Sequence, residues 1–184
     1  MKEDLHYGLI KKFYGNKKSK RSNIPLINHI DEGLIILDRL VAPLICKQAY
    51  CIHPLLQLDE VFFYNLVSSR SGIKNADVQA VMLAMEYRHQ LNRYHSKKVF
   101  KDETRKKELL TSLKEVMADT PYLRYIALAD KVQNRKDFIK YHLDTHERSK
   151  ELNSYFSNWL FIILGVPEHI NTELVNAINC NGTM

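Results

Sequence analysis

The sequence is poor in the residues that punctuate a chain. Its 184 residues include six glycines and five prolines. Long stretches carry neither, which argues against a turn-rich β fold and favours helices. Cysteine is scarce as well, with only Cys46, Cys51 and Cys180. An odd number with no Cys-x-x-Cys spacing excludes a disulfide framework and implies a reducing compartment. Cys46 and Cys51 lie in an apolar helix, where a buried free thiol is the ordinary outcome. Long hydrophobic runs are missing too. The longest, Trp159 to Val166, falls far short of the roughly 20 residues that span a bilayer, so no membrane partner is expected. Met1-Lys2-Glu3-Asp4 brings acids and no apolar run, so a signal peptide is not expected and the cytoplasm is the expected location. No repeat or low-complexity segment is visible.

What is present is enough for a core. Apolar residues make up 45% of the chain, in keeping with one globular domain over residues 1–184. Lys+Arg 27 against Asp+Glu 21 leaves a net charge of +6. That excess is either solubility charge or the mark of an anionic partner, nucleic acid or a phosphorylated small molecule.

Apolar spacing predicts helices throughout. Leu5, Leu9, Phe13 and Tyr14 mark a first one over residues 1–14, followed by a basic loop with Lys17, Lys18, Lys20 and Arg21. A second helix starts at Pro25, carries Ile30, Leu34, Leu37 and Val41 as its core stripe, and ends at Pro43. A third runs from 44 to 53 and should kink or break at Pro54, which has no amide to donate. An apolar segment over 55–67, a loop over 68–75 and a long helix over 76–95 come next, the last with Val78, Met82, Met85 and Leu91 as its apolar positions. A charged stretch over 97–107 leads into a short helix over 109–117. Asp119-Thr120-Pro121 is a start signal, a capping residue before a proline in the first turn, for a helix reaching about Asp144. Helices over 149–164 and 168–178 complete an all-α domain, separated by Gly165-Val166-Pro167.

One helix face stands out chemically. Leu123, Ala127, Asp130, Asn134, Asp137 and Tyr141 lie within about 40° of one line at 100° per residue, which puts Asp130 and Asn134 in an apolar stripe. A buried carboxylate is costly unless paired, hydrogen-bonded or bound to metal. Asp130 is therefore either a candidate metal ligand or a carboxylate packed against an Arg or Lys of another helix. His29 shares a face with Gly33, Ile36 and Leu40, and His53 closes the apolar helix before Pro54. Two histidines and one carboxylate on three core-facing helices form a reasonable ligand set for a first-row metal. His142 and His146, at i and i+4 with Arg148 close by, are a solvated helix end, a metal-binding pair without an HExxH frame, or a phosphate-facing cluster.

Three segments, in this order, resemble the metal-site motifs of HD-superfamily phosphohydrolases of the RelA/SpoT alarmone-hydrolase type. They are Asn23-Ile24-Pro25-Leu26-Ile27-Asn28-His29, Ala49 to Leu58, and Ala127-Leu128-Ala129-Asp130-Lys131-Val132-Gln133-Asn134-Arg135. The resemblance spans about 20–135. It implies a helical HD-like domain with His29, His53 and Asp130 as metal ligands, and Asn134 and Arg135 at the substrate. Lys20 or Arg21 would lie near its phosphates. Where the family has the aspartate of its His-Asp pair this chain has Pro54, and Gln57 and Leu58 replace a Glu-Asp pair that helps activate water. Losing a general base typically lowers a rate by ~10²–10⁴. Glu60 and Glu86 are the acids that could compensate. The resemblance therefore implies a nucleotide or nucleotide phosphate as partner and a divalent ion, manganese or zinc, that is weakly held or absent. The chain is then an atypical phosphohydrolase, a non-catalytic nucleotide-binding or sequestering protein, or a basic accessory protein for nucleic acid.

Overall fold

The computed structural model describes residues 4–20, 22–58, 78–94 and 103–180. In chain order its helices are α1 (Leu5–Tyr14), α2 (Ile27–Arg39), α3 (Leu44–Leu58), α4 (Val78–Tyr94), α5 (Glu103–Asp119), α6 (Pro121–Tyr141), α7 (Ser149–Ser157), a π-helical continuation (Asn158–Ile163) and α8 (Glu168–Cys180). Among the described residues the β component is one isolated bridge between Lys18 and Pro25. The all-α expectation holds, and none of the described helices is long and apolar enough to cross a membrane.

The bundle is built around α6. From Ile126 to Gln133 every residue of this helix is buried, the pattern of a helix enclosed on all sides. It packs against α2, α3, α4, α5, α7, α8 and the π-helical segment. Ala127 and Ala129 lie fully buried there, and small side chains let neighbouring helices approach. The partner faces carry large residues: Ile30, Ile36 and Leu37 on α2, Tyr50, Ile52 and Leu55 on α3, and Trp159 and Leu160 on the π-helical segment. Where α2 and α3 cross, Gly33 faces the ring of Tyr50 so closely that a Cβ would overlap it. Any side chain at position 33 would push that ring aside.

Several sequence expectations need correction. Pro54 does not break α3, which continues to Leu58 with the proline inside it. The Tyr50 carbonyl, which a residue 54 amide would normally bond, finds a different donor, as described below. Pro25 opens a turn rather than a helix, and Asn28 and His29 bond back to Pro25 and Leu26 as α2 starts. Helix α2 ends at Arg39, where Val41 takes a positive φ of 52° and lies on the surface, 85% exposed. Pro43 instead opens α3, its carbonyl accepting from Cys46 at 3.0 Å. On α4, Val78, Met82 and Met85 point outwards, and Ala80, Ala84, Tyr87 and Leu91 form the buried face. The charged stretch ends inside α5, which begins at Glu103. Thr120 rather than Asp119 flanks α6, and its hydroxyl turns back to the Val116 carbonyl instead of capping. Helix α6 stops at Tyr141, short of Asp144, whose φ is 63°. The single helix expected over 149–164 changes to π pitch at Asn158. The segment 59–77, Glu60 included, and residue Arg21 lie outside the described residues.

Candidate metal centre

His29 is in the first turns of α2, His53 is in the middle of α3 and Asp130 is in the middle of α6. The packing of these helices brings the three side chains together. His29 Nε2 lies 3.4 Å from His53 Nε2 and 3.4 Å from Asp130 Oδ1, and His53 Nε2 lies 3.6 Å from the same oxygen. Each offers one ligand atom to a common point.

The surrounding bonds fix which ring nitrogens carry protons. His53 Nδ1 is 2.6 Å from the Tyr50 carbonyl oxygen, which can only accept, so this nitrogen donates. His29 Nδ1 is 2.5 Å from Gln133 Oε1. The amide orientation of Gln133 follows from its other end, where Nε2 donates to Glu32 at 3.0 Å and to Asp137 at 2.8 Å. Each ring therefore turns its Nε2 towards Asp130, and in the neutral form of either ring that atom carries a free lone pair. A metal-bound histidine shows this pattern, its second nitrogen donating to a carbonyl or a carboxylate-tethered group. The Glu32 carboxylate is held in turn by Lys136 Nζ at 2.6 and 2.7 Å and by Asn28 at 3.1 Å.

Asp130 is wired just as completely. Tyr87 donates its hydroxyl to Oδ2 at 2.6 Å, Lys131 Nζ reaches the same oxygen at 2.8 Å, and Asn134 Nδ2 donates to Oδ1 at 2.8 Å. Burial alone would raise the carboxyl pKa, but the Lys131 charge and its other partners outweigh it and hold it well below the usual carboxylate range. Lys131 is only 2% exposed. Burial pulls its ammonium pKa down, and Asp130 more than reverses that, so it stays charged. Three aromatic faces surround it, Trp159 at 5.1 Å, Tyr155 at 5.4 Å and Tyr87 at 5.9 Å from their ring centres, each attracting the cation. His29 is pushed the other way. Burial lowers its pKa and His53 adds to this, against the opposing pull of Asp130, so its native ring is neutral.

Three ligand atoms 3.4–3.6 Å apart would repel one another without a proton or a cation between them. A tetrahedral ion bonded at about 2.0–2.1 Å separates neighbouring ligands by about 3.4 Å. An octahedral magnesium-type ion would need them closer, at about 3 Å. The three residues fit a four-coordinate ion with one position left for a non-protein ligand.

That position opens into a cavity of about 390 Å³. His29, His53, Pro54, Asp130 and Gln133 form its floor, Tyr14, Phe138, Leu152 and Phe156 give it apolar and aromatic walls, and Ser19, Ser22, His142 and His146 also line it. His146 Nδ1 accepts the Arg148 backbone amide at 3.0 Å, which leaves Nε2 as its protonated nitrogen. Asn134 also borders the cavity, with its amide donating to Asp130.

Of the other residues expected at the substrate, Lys20 and Arg135 do not line the cavity. Lys20 is exposed. Arg135 pairs with Glu168 at 3.3 Å and packs on the Phe161 ring at 5.5 Å. Gln57 lines the cavity, and its side-chain nitrogen has no partner among the described residues. Glu86 is exposed and accepts from Gln90 at 2.6 Å. Tyr50, Tyr87, Lys131 and Gln133 are the functional residues that sequence reasoning missed. Gln133 carried the clearest signal, three residues after Asp130 and so near it on the same helix face. No family model, curated protein or solved structure matches this chain.

Proposed function

We propose that this protein is an atypical metal-dependent phosphohydrolase acting on a nucleotide or nucleotide phosphate. One observation carries the reading: both Nε2 atoms and Asp130 Oδ1 lie 3.4–3.6 Å from one another beside a cavity of about 390 Å³. His29, His53 and Asp130 hold the ion, and the preferred ion is zinc-like and four-coordinate. When bound, it polarises a phosphoryl oxygen and lowers the pKa of a water. The chain's own residues do the rest. Gln133 and the Tyr50 carbonyl keep the two imidazoles in the ligating tautomer. Lys131, Tyr87 and Asn134 keep Asp130 ionised and aimed. Phe138, Phe156 and Leu152 take the base, and His142 and His146 take the phosphate at the mouth.

A second reading is supported by Gln57. It lines the cavity at a position where the hydrolases that the sequence resembles carry an acid, and a neutral amide accepts protons poorly. On that reading the protein binds and sequesters its nucleotide without turnover. Elemental analysis of protein purified without chelator, followed by phosphate-release assays on a panel of nucleotides and alarmones with added zinc or manganese, decides between the readings. Stoichiometric metal with chelator-sensitive release is expected. Metal-dependent nucleotide binding without release selects the second reading, and absence of both metal and nucleotide binding removes both.

A further inference from the structure

Pro54 occupies the position of the family's second metal acid, yet it does more than leave a ligand out. It is buried inside α3 and lines the cavity floor. A helical residue 54 would donate its amide to the carbonyl four residues back, that of Tyr50. Proline has no amide hydrogen, and its ring crowds the same carbonyl. The Tyr50 oxygen is therefore left without its helical donor at a buried site, where an unmade bond is costly. It is the atom that His53 Nδ1 reaches at 2.6 Å.

We propose that Pro54 is the positioning residue of the metal centre. By withholding its own amide it reserves the Tyr50 carbonyl for His53. This fixes the Nδ1-protonated tautomer, folds the ring back along its own helix, and aims Nε2 at His29 Nε2 and Asp130 Oδ1, 3.4 and 3.6 Å away. The residue that deletes one ligand thus strengthens another. Its neighbours keep the ring in place, with Tyr50 and Tyr87 packed against His53 at 4.8 and 5.6 Å between ring centres. The purpose of the arrangement rests on the metal reading above, but its geometry does not.

The test is Pro54→Ala in the full chain, with three measurements: the melting temperature without metal, zinc-ion affinity by competition with a chromophoric chelator, and the His53 tautomer by long-range nitrogen–proton NMR of the imidazole rings. The new amide takes the Tyr50 carbonyl, so the variant should melt higher than the parent, since proline inside a helix is destabilising. Its zinc affinity should nevertheless fall at least tenfold, the usual loss when a ligand's supporting partner is removed. His53 should shift from the Nδ1-protonated tautomer to a mixture. A variant that binds zinc as tightly as the parent, keeps the tautomer, or melts no higher overturns the proposal. If the parent itself takes up no zinc, the metal reading fails on its own. The tautomer then decides alone: a change between parent and variant sustains the role of Pro54, and no change removes it.

Discussion

The floor and the mouth of the cavity are built on opposite principles. On the floor His53, Asp130 and Gln133 are almost fully buried, with Lys131 buried beside Asp130, and the partners of His29 and Asp130 are themselves held, as in the chain from His29 through Gln133 to Glu32 and Lys136. At the mouth, His142 and His146 are half-buried, and outside the cavity lining Arg148 and Glu151 pair in the open. Buried polar networks are stable only when every member is satisfied. The floor is thus rigid and intolerant of change, and the mouth can vary without cost to the fold. This is the division expected of a metal platform beneath a recognition surface.

The strongest way to break the contrast is Asp130→Ala. It leaves the Lys131 ammonium buried and unpaired, and breaking a buried pair in this way costs about 3–5 kcal/mol. Urea unfolding of the metal-free variant should show a loss of that order, and zinc uptake should vanish. A loss below 1 kcal/mol would mean that the floor is no network.

Acid probes the same region more gently. The native His29 pKa lies below the ordinary 6.5, first because of burial, so an unfolded His29 binds a proton more readily than a folded one. Asp130 is likewise depressed, burial raising it but Lys131 and its other partners together outweighing that. A group with a lowered native pKa contributes stability that is present above its unfolded pKa and lost as pH falls through the native one. Metal-free protein should therefore lose stability progressively below about pH 6.5, and His29→Ala should flatten the upper part of that slope. Melting curves from pH 7.5 to 4.5 measure it, and an unchanged slope in the variant would contradict it.

The smallest effect on stability belongs to the mouth. The double variant His142→Ala, His146→Ala should unfold within about 0.5 kcal/mol of the parent, as surface changes usually do. Zinc affinity should be unchanged, and KM for a nucleotide phosphate, or its Kd if there is no turnover, should rise several-fold. If metal binding also fell, the floor and mouth would not be separate.

Much of this arrangement was legible in the sequence, and the exceptions have physical reasons. His29, His53 and Asp130 stood out because polar residues at helical spacing in apolar stripes need partners. Their convergence came from helix packing, which spacing along one helix does not give. Lys131 was hidden because adjacent residues on a helix normally face apart. The alternative reading of Asp130 looked to another helix for its cation, and the cation is its immediate neighbour. Tyr50 and Tyr87 fell outside the apolar positions expected for their helices, yet both are fully buried. Pro54 was expected to interrupt α3, since its local preference argues for a break; the bond supplied by a side chain one residue away overrides that preference.

The π-helical segment sets the phase of the last part of the chain. In it the Leu164 amide reaches back five residues to Trp159, and the Val166 amide reaches Leu160 at 2.9 Å. A π turn holds one residue more than an α turn, and one residue is about 100° of rotation on an α-helix. The segment thus acts as a mechanical spacer that turns the chain between two fixed appointments. Tyr155, before it, and Trp159, within it, both face the Lys131 ammonium, while Leu160, Ile163 and Leu164 still face the core. Tyr155 and Trp159 are four residues apart, about one turn, so both rings reach the same charge. The register of this stretch is therefore tied to a charge that sits on a different helix.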